Sequence, residues 1–244
     1  MKTVILVIAS TNTPLYIHYI KTYWTTLIDY TNYKKPDIDV FLLFNGDTDE
    51  KYYKHIRNNV IIDTNKTTRS PGILQKTIYA FEKLQHKYDV FFRTNLSGII
   101  NIDSLEKYIT NNKVIYSGGI IWHNALRENI KEYNLIDDIT ELDSYPGNTF
   151  ISGSGFLLNR DEVRNLIKQK NKIRFDIIDD VSIGLMMLKY QDIPNFTEII
   201  VSGTSLKDKI KQINKNRIHA RLQWFTLEEA RELWNSLSMY QIQL

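Results

Sequence analysis

None of the 244 residues is a cysteine. That excludes disulfides, thiolate metal sites and cysteine nucleophiles, and is compatible with a reducing compartment. Nor does any run approach the ~20 apolar residues of a membrane span. The opening MKTVILVIAS has an apolar core of about eight residues with no small-residue cleavage pattern behind it, so it reads as a first buried strand, and a cytoplasmic chain is expected. Excess charge is also scarce: 31 Lys and Arg against 28 Asp and Glu leave +3. An anionic partner must therefore be met by local clustering, and nucleic acid is not expected. Neither G-x-G-x-x-G nor a Walker loop follows the first apolar run, which removes most support from dinucleotide and P-loop readings.

What is present is strand alternating with helix. Thr3–Ala9 is continuously apolar, the pattern of a strand buried on both faces. Pro14 opens a helix carrying Leu15, Ile17, Ile20 and Trp24. Asp39–Phe44 is a second strand ending at Asn45-Gly46-Asp47, and Val60–Ile62 a short third. Pro71-Gly72 introduces a helix with Leu74, Ile78, Phe81 and Leu84 on one face. In YDVFFRTNLSGIINIDSLEKYI (88–109), an apolar strand meets a neutral polar break, and Ile102, Leu105 and Ile109 then recur at helical spacing. Beyond about residue 110 regularity drops. VIYSGGIIW and TFISGSGFLLN read as glycine-punctuated strands on either side of a charged stretch (123–148), with helices over 160–170, 180–190 and 226–237. The pattern predicts an α/β fold, a mainly parallel central sheet flanked by helices, in one domain (1–244) with two unequal halves. In such sheets ligands bind beyond the carboxyl ends of the strands, here Ser10, Thr11, Asn45, Asp47, Asp63, Thr94 and Asn95.

Three segments, in order, resemble the GT-A glycosyltransferases, especially the inverting β-1,3-galactosyltransferase and Fringe-like group. The 88–109 stretch resembles the strand carrying that family's acidic DxD motif with the helix after it. SGSGFLLNRDEV (Ser152–Val163) is similar to its glycine-rich strand, and IIDDVSIGLMML (Ile177–Leu188) to its acidic E/D-D-V-x-x-G segment. The resemblance implies one GT-A-type domain, with a Rossmann-like nucleotide-binding half (1–110) and an irregular half (111–244) binding acceptor and carrying the catalytic residues. It implies transfer of a sugar from a nucleotide-sugar donor, UDP being the usual nucleotide, to a glycan or glycoprotein acceptor. A degenerate domain acting as a nucleotide or glycan-binding module, and a retaining transferase of the same fold, are the alternatives.

Inverting transfer needs a base for the acceptor hydroxyl and positive charge for the departing diphosphate. Asp179 and Asp180 open an apolar helix, which by itself also describes an acidic N-cap. Adjacent helical residues point about 100° apart, so one carboxylate is expected to face a given pocket. The resemblance favours Asp180 as base and Asp179 as an orienting group. Gly153, with Ser152 and Ser154, offers close backbone approach to a sugar, or simply a tight turn. Trp122 is a platform for a sugar ring or a core residue. If NRIHAR is extended, Arg217, His219 and Arg221 share one side and suit a diphosphate, although basic stretches are also commonly solvated faces. Arg69 and Lys76 flank a helix start that suits an anion, or form a surface pair. Where the family has its acidic triad this chain has Asn95-Leu96-Ser97, neutral donors that anchor a hard cation poorly. That leaves the requirement for a divalent cation (Mn or Mg) open, with Asn95 and His219 the candidate ligands.

Overall fold

A computed structural model describes residues 1–63, 72–122, 150–175, 178–187, 196, 198–201, 205–213, 218–222 and 225–239. The main sheet is built from β1 (Thr3–Ile8), β2 (Ile38–Asn45), β3 (Val60–Asp63), β4 (Val90–Asn95), β6 (Tyr116–Gly118) and β9 (Gly155–Asn159). Their order across it is β3-β2-β1-β4-β9-β6. β1 to β4 run parallel, whereas β9 lies antiparallel to both neighbours. β9 enters from a tight turn that follows β8 (Phe150–Ile151) and lies beside the end of β4. Thr94 pairs with Gly155, and Val90 with Asn159. The Ser152–Ser154 turn is thereby set at the carboxyl end of the parallel strands.

β1 and β4, in the middle of the sheet, are buried on both faces, as the unbroken apolar run of β1 requires. Along β1 the side chains alternate. Ile5 and Val7 join one core with Trp24, Leu27, Leu105 and Leu233. Val4, Leu6 and Ile8 join another with Leu74, Ile78, Phe81 and Leu166. Helix α1 (Pro14–Tyr19) begins where Thr13 accepts the Tyr16 N–H, with proline in the first turn, where its missing N–H costs nothing. A π-helical turn, Ile20–Trp24, joins it to α2 (Thr25–Lys34). Helices α3 (Gly72–Leu84) and α4 (Ile102–Asn111) carry the expected buried residues, save that Leu84 is only half-buried.

A second sheet contains β5 (Gly98–Ile100), β10 (Glu198–Val201) and β11 (His219–Leu222), with β11 in the middle. The short β7 (Ile121–Trp122) pairs with β8. The later helices lie close to their expected places, over Arg160–Lys168, Asp179–Met186 and Leu227–Met239. Residues 188–190 of the helix expected over 180–190 lie outside the described residues. No helix among the described residues is long and apolar enough to cross a membrane.

Candidate active site

The period of two along β4 separates its last residues onto opposite faces. Phe92 packs into the core that faces α1 and α4, and Thr94 follows it on that side. Phe91 packs into the core that faces α3, and Arg93 follows that one. Arg93 is only 1% exposed. A guanidinium inside an otherwise apolar run must find partners, because an unpaired buried charge is prohibitive. Nη2 donates to Oδ2 of Asp179, Nη1 donates to the carbonyl of Gly153, and the charged group lies 5.6 Å from the centre of the Phe156 ring.

Asp179 and Asp180 begin the Asp179–Met186 helix, as expected, yet both reach the same turn. Asp179 meets Arg93 there, while Oδ2 of Asp180 accepts the Gly153 N–H at 2.9 Å and its Oδ1 accepts the Val181 N–H at 2.9 Å. The expectation that only one of the two faces the site is corrected. The Gly153 N–H takes Asp180 directly and its carbonyl is tied to Asp179 through Arg93, so two carboxylates that point apart still engage one turn. Room there is short, since a Cβ on Gly153 would lie 2.7 Å from Nη1 of Arg93, whose guanidinium Asp179 already holds through Nη2. Burial pushes the Asp180 carboxyl up to about 6, and the charge of Asp179 adds to this. The Gly153 and Val181 N–H groups and Arg93 pull the other way.

Lys76 stands on α3 beneath the end of β1, 3% exposed, and its Nζ donates to the carbonyl of Ala9 at 3.1 Å. Burial pulls the pKa of its ammonium down to about 8, with Arg93 adding to the shift and Asp63, Asp47 and Asp179 opposing it. Neighbouring strand ends place Asn45 and Asp63, both buried, and Ser10, Thr11 and Asn95, all half-buried, at the same edge of the sheet. Ser152 and Ser154 are buried within the glycine turn, where the Ser154 N–H donates to Oγ of Ser152 at 3.3 Å. Tyr116 of β6 lies near Asp180, whose charge helps burial to raise the phenol.

Other expected site residues are placed differently. Oγ1 of Thr94 donates to the Ser154 carbonyl at 2.9 Å and meets Nε2 of His219 at 3.0 Å. A hydroxyl has one proton, so Nε2 of His219 is the donor to Thr94. The imidazole is 1% exposed and packs edge-on against Phe92, centroids 5.7 Å apart. Thr94 and His219 therefore brace β4 from the face opposite Arg93, and neither presents its side chain to a diphosphate or cation. Half-buried Arg221 follows on β11, opposite Gly98. Of Trp122 only the strand pairing with Phe150 is described, and Arg69 and Arg217 lie outside the described residues.

Asn95-Leu96-Ser97 is a tight connection from β4 to β5. Leu96 is buried in the core, its carbonyl accepts from Nε1 of Trp24 at 2.9 Å, and the Ser97 carbonyl accepts from the Leu222 N–H at 2.8 Å. The turn thus offers a cation only the neutral side chains of Asn95 and half-buried Ser97. Among the described residues no three carboxylate or histidine side chains gather as a metal site. This donor set does not fit the hard divalent cation that the resemblance implies.

Arg93 was within reach of sequence reasoning. A lone arginine in VFFRTN, between residues that must be buried, announces a buried partner of opposite charge. That partner was not identifiable from spacing, as Asp179 lies 86 residues away.

No family model and no curated protein matches the sequence. Solved structures do match it. A glycosyltransferase involved in the glycosylation of the major capsid of PBCV-1 aligns over 97% of this chain and 100% of its own, at TM-score 0.51 and 10% identity. The galactosyltransferase LgtC, in complex with donor and acceptor sugar analogs, aligns over 97% of this chain and 96% of its own, at TM-score 0.51 and 12% identity. The fold is of the GT-A type. A 4-diphosphocytidyl-2C-methyl-D-erythritol synthase from Anaerococcus prevotii shares it, at TM-score 0.52, 13% identity and coverage of 98% and 96%. At such identities the likeness is one of fold.

Proposed function

We propose that this chain is a glycosyltransferase that moves a sugar from a nucleotide-sugar donor, with UDP as the nucleotide, to a hydroxyl of a glycan or glycoprotein acceptor with inversion, after the manner of the Fringe-like group. The observation that carries the reading is Asp180, a half-buried carboxylate raised to about 6 and fixed by a glycine turn beside the carboxyl ends of the parallel strands. A base poised near neutrality is what an acceptor hydroxyl requires. Two of its oxygen lone pairs accept backbone N–H groups, and others stay available for the acceptor proton.

In this reading residues 1–110 hold the nucleotide, with Ser10, Thr11, Asn45, Asn95 and Ser97 along the strand ends. Lys76, from behind the sheet edge, offers positive charge to the diphosphate, as do Arg69, Arg217 and Arg221 from later and earlier in the chain. Residues 111–244 hold the acceptor, with the Ser152–Ser154 turn and Trp122 against the sugars. The acceptor oxygen attacks the anomeric carbon and its proton passes to Asp180. The bond from that carbon to the diphosphate oxygen breaks, and the charge left on the diphosphate faces Lys76. Asp179 completes the ion pair with Arg93.

The test is release of free nucleoside diphosphate from a panel of nucleotide sugars, with and without glycan acceptors, followed by NMR assignment of the product anomer. Acceptor-dependent release with an inverted anomer is the expected result. Binding without release would make the domain a glycan or nucleotide-binding module, and a retained anomer would remove Asp180 as the base. Pyrophosphate released from a nucleoside triphosphate would replace glycosyl transfer with nucleotidyl transfer.

A further inference from the structure

We propose that Arg93 is a positioning residue that locks Asp179 and the Gly153 turn together, so that Asp180 alone is the carboxylate free to exchange a proton. The inference rests on the base role given to Asp180 above. Two adjacent carboxylates brought to one turn repel each other and share a proton unless a cation stands between or beside them. Arg93 is that cation. Its fork takes Oδ2 of Asp179 with one arm and the Gly153 carbonyl with the other. The same glycine donates its N–H to Oδ2 of Asp180 at 2.9 Å. One residue therefore fixes both carboxylates, Asp179 by direct ion pairing and Asp180 through the glycine.

Stability alone does not account for an arginine at this place. Buried ion pairs are on average no better than apolar side chains of similar volume, and the neighbours Phe91 and Phe92 are apolar and fully buried. A lysine would not substitute, because one ammonium cannot hold a carboxylate and a carbonyl in the planar fork that guanidinium provides. β8, against which the helix of Asp180 packs, brings only the apolar Phe150 and Ile151, and the charged and polar groups come from the other elements. Asp179 comes from its own helix and Arg93 from β4, and the neutral phenol of Tyr116 comes from β6. From α3, Lys76 stands close enough to feel both Arg93 and Asp179.

The experiment is a carbon-13 NMR titration of the aspartate carboxyl groups in the wild type, Arg93→Lys and Arg93→Met, run beside a pH–rate profile. The methionine variant would leave the charge of Asp179 unopposed, so the Asp180 midpoint should rise by at least about one pH unit, a tenfold change in proton affinity. Arg93→Lys should recover part of that rise, and the acidic limb of the rate profile should move in step. If Arg93→Met does not fold, Asp179→Asn gives the converse test. It removes the neighbouring negative charge while Arg93 remains, so the midpoint should fall. A midpoint unmoved in Arg93→Lys and in whichever second variant folds would overturn the proposal. The titration needs no turnover, so a shifted midpoint in a protein that transfers no sugar would remove the transferase reading and leave the role of Arg93 standing.

Discussion

The backbone N–H of Gly153 donates to Oδ2 of Asp180 at 2.9 Å, while its carbonyl accepts from Arg93. A single glycine thus joins the candidate base to the buried arginine of the central sheet. Gly153→Ala would place a methyl 2.7 Å from Nη1 of Arg93, whose guanidinium is pinned by Asp179 and cannot retreat freely. The expected cost is about 1–3 kcal/mol by denaturant unfolding, with a loss of turnover. A variant as stable and active as the wild type would mean that the turn is not the anchor.

The two adjacent aspartates should fail differently. Asp179→Asn leaves the guanidinium of Arg93, one of the largest fully buried side chains, without its counter-charge, so about 3–5 kcal/mol of stability should be lost. Asp180 works in the opposite sense. Its folded-state value of about 6 exceeds the ordinary 3.8, so between those values the folded chain binds the proton more tightly than the unfolded one. Wild-type stability should therefore decline as pH rises through that window, by up to about 3 kcal/mol. Asp180→Asn should lack this slope, and unfolding midpoints recorded from pH 4 to 7 in both proteins check it.

Lys76 gives a second pH signature, now in binding. Below about 8 its ammonium is charged and available to a diphosphate; above that value the charge is lost. Nucleoside diphosphate affinity should fall as pH climbs past 8. Lys76→Met should bind about 10- to 150-fold more weakly at pH 7, the equivalent of a charge-assisted hydrogen bond, and show no such fall. Calorimetry at pH 7 and pH 9 measures both, and an unchanged affinity in the variant would place the diphosphate elsewhere.

The neutral turn at Asn95-Leu96-Ser97 makes a prediction about cations. With no carboxylate pair to repel a diphosphate, nucleotide binding should persist in EDTA, and Mn²⁺ should improve it by no more than about tenfold. Binding abolished by chelator would mean that acidic residues from other loops complete a metal site with Asn95.

Much of the fold was legible from periodicity. The unbroken apolar run of Thr3–Ala9, the proline at 14 and the spacing of Ile102, Leu105 and Ile109 each correspond to an element found where expected. The glycine-punctuated strands also stand where TFISGSGFLLN places them. What periodicity could not carry was the direction and neighbour of β9, because pairing is decided by contacts far apart in sequence. The same limit shaped the site. Asp179, Asp180 and Gly153 are visible as residue types that chemistry favours, whereas their meeting at one turn depends on which face of β4 the Arg93 side chain takes. His219 shows the reverse limit: were NRIHAR extended, alternation would put the histidine beside the arginines, but β11 begins at His219, pairs with β5, and its histidine turns inward to Thr94.

The most direct measurement is nucleoside diphosphate released per second by the wild type and by Asp180→Asn, with saturating donor and acceptor, alongside the nucleotide dissociation constant of each. With Asp180 as base, turnover should fall by roughly 10²–10⁴-fold while the dissociation constant stays within about threefold, and the wild-type rate should rise with pH through about 6. A variant that keeps most of its turnover, or loses nucleotide binding in proportion to its rate, would contradict the assignment.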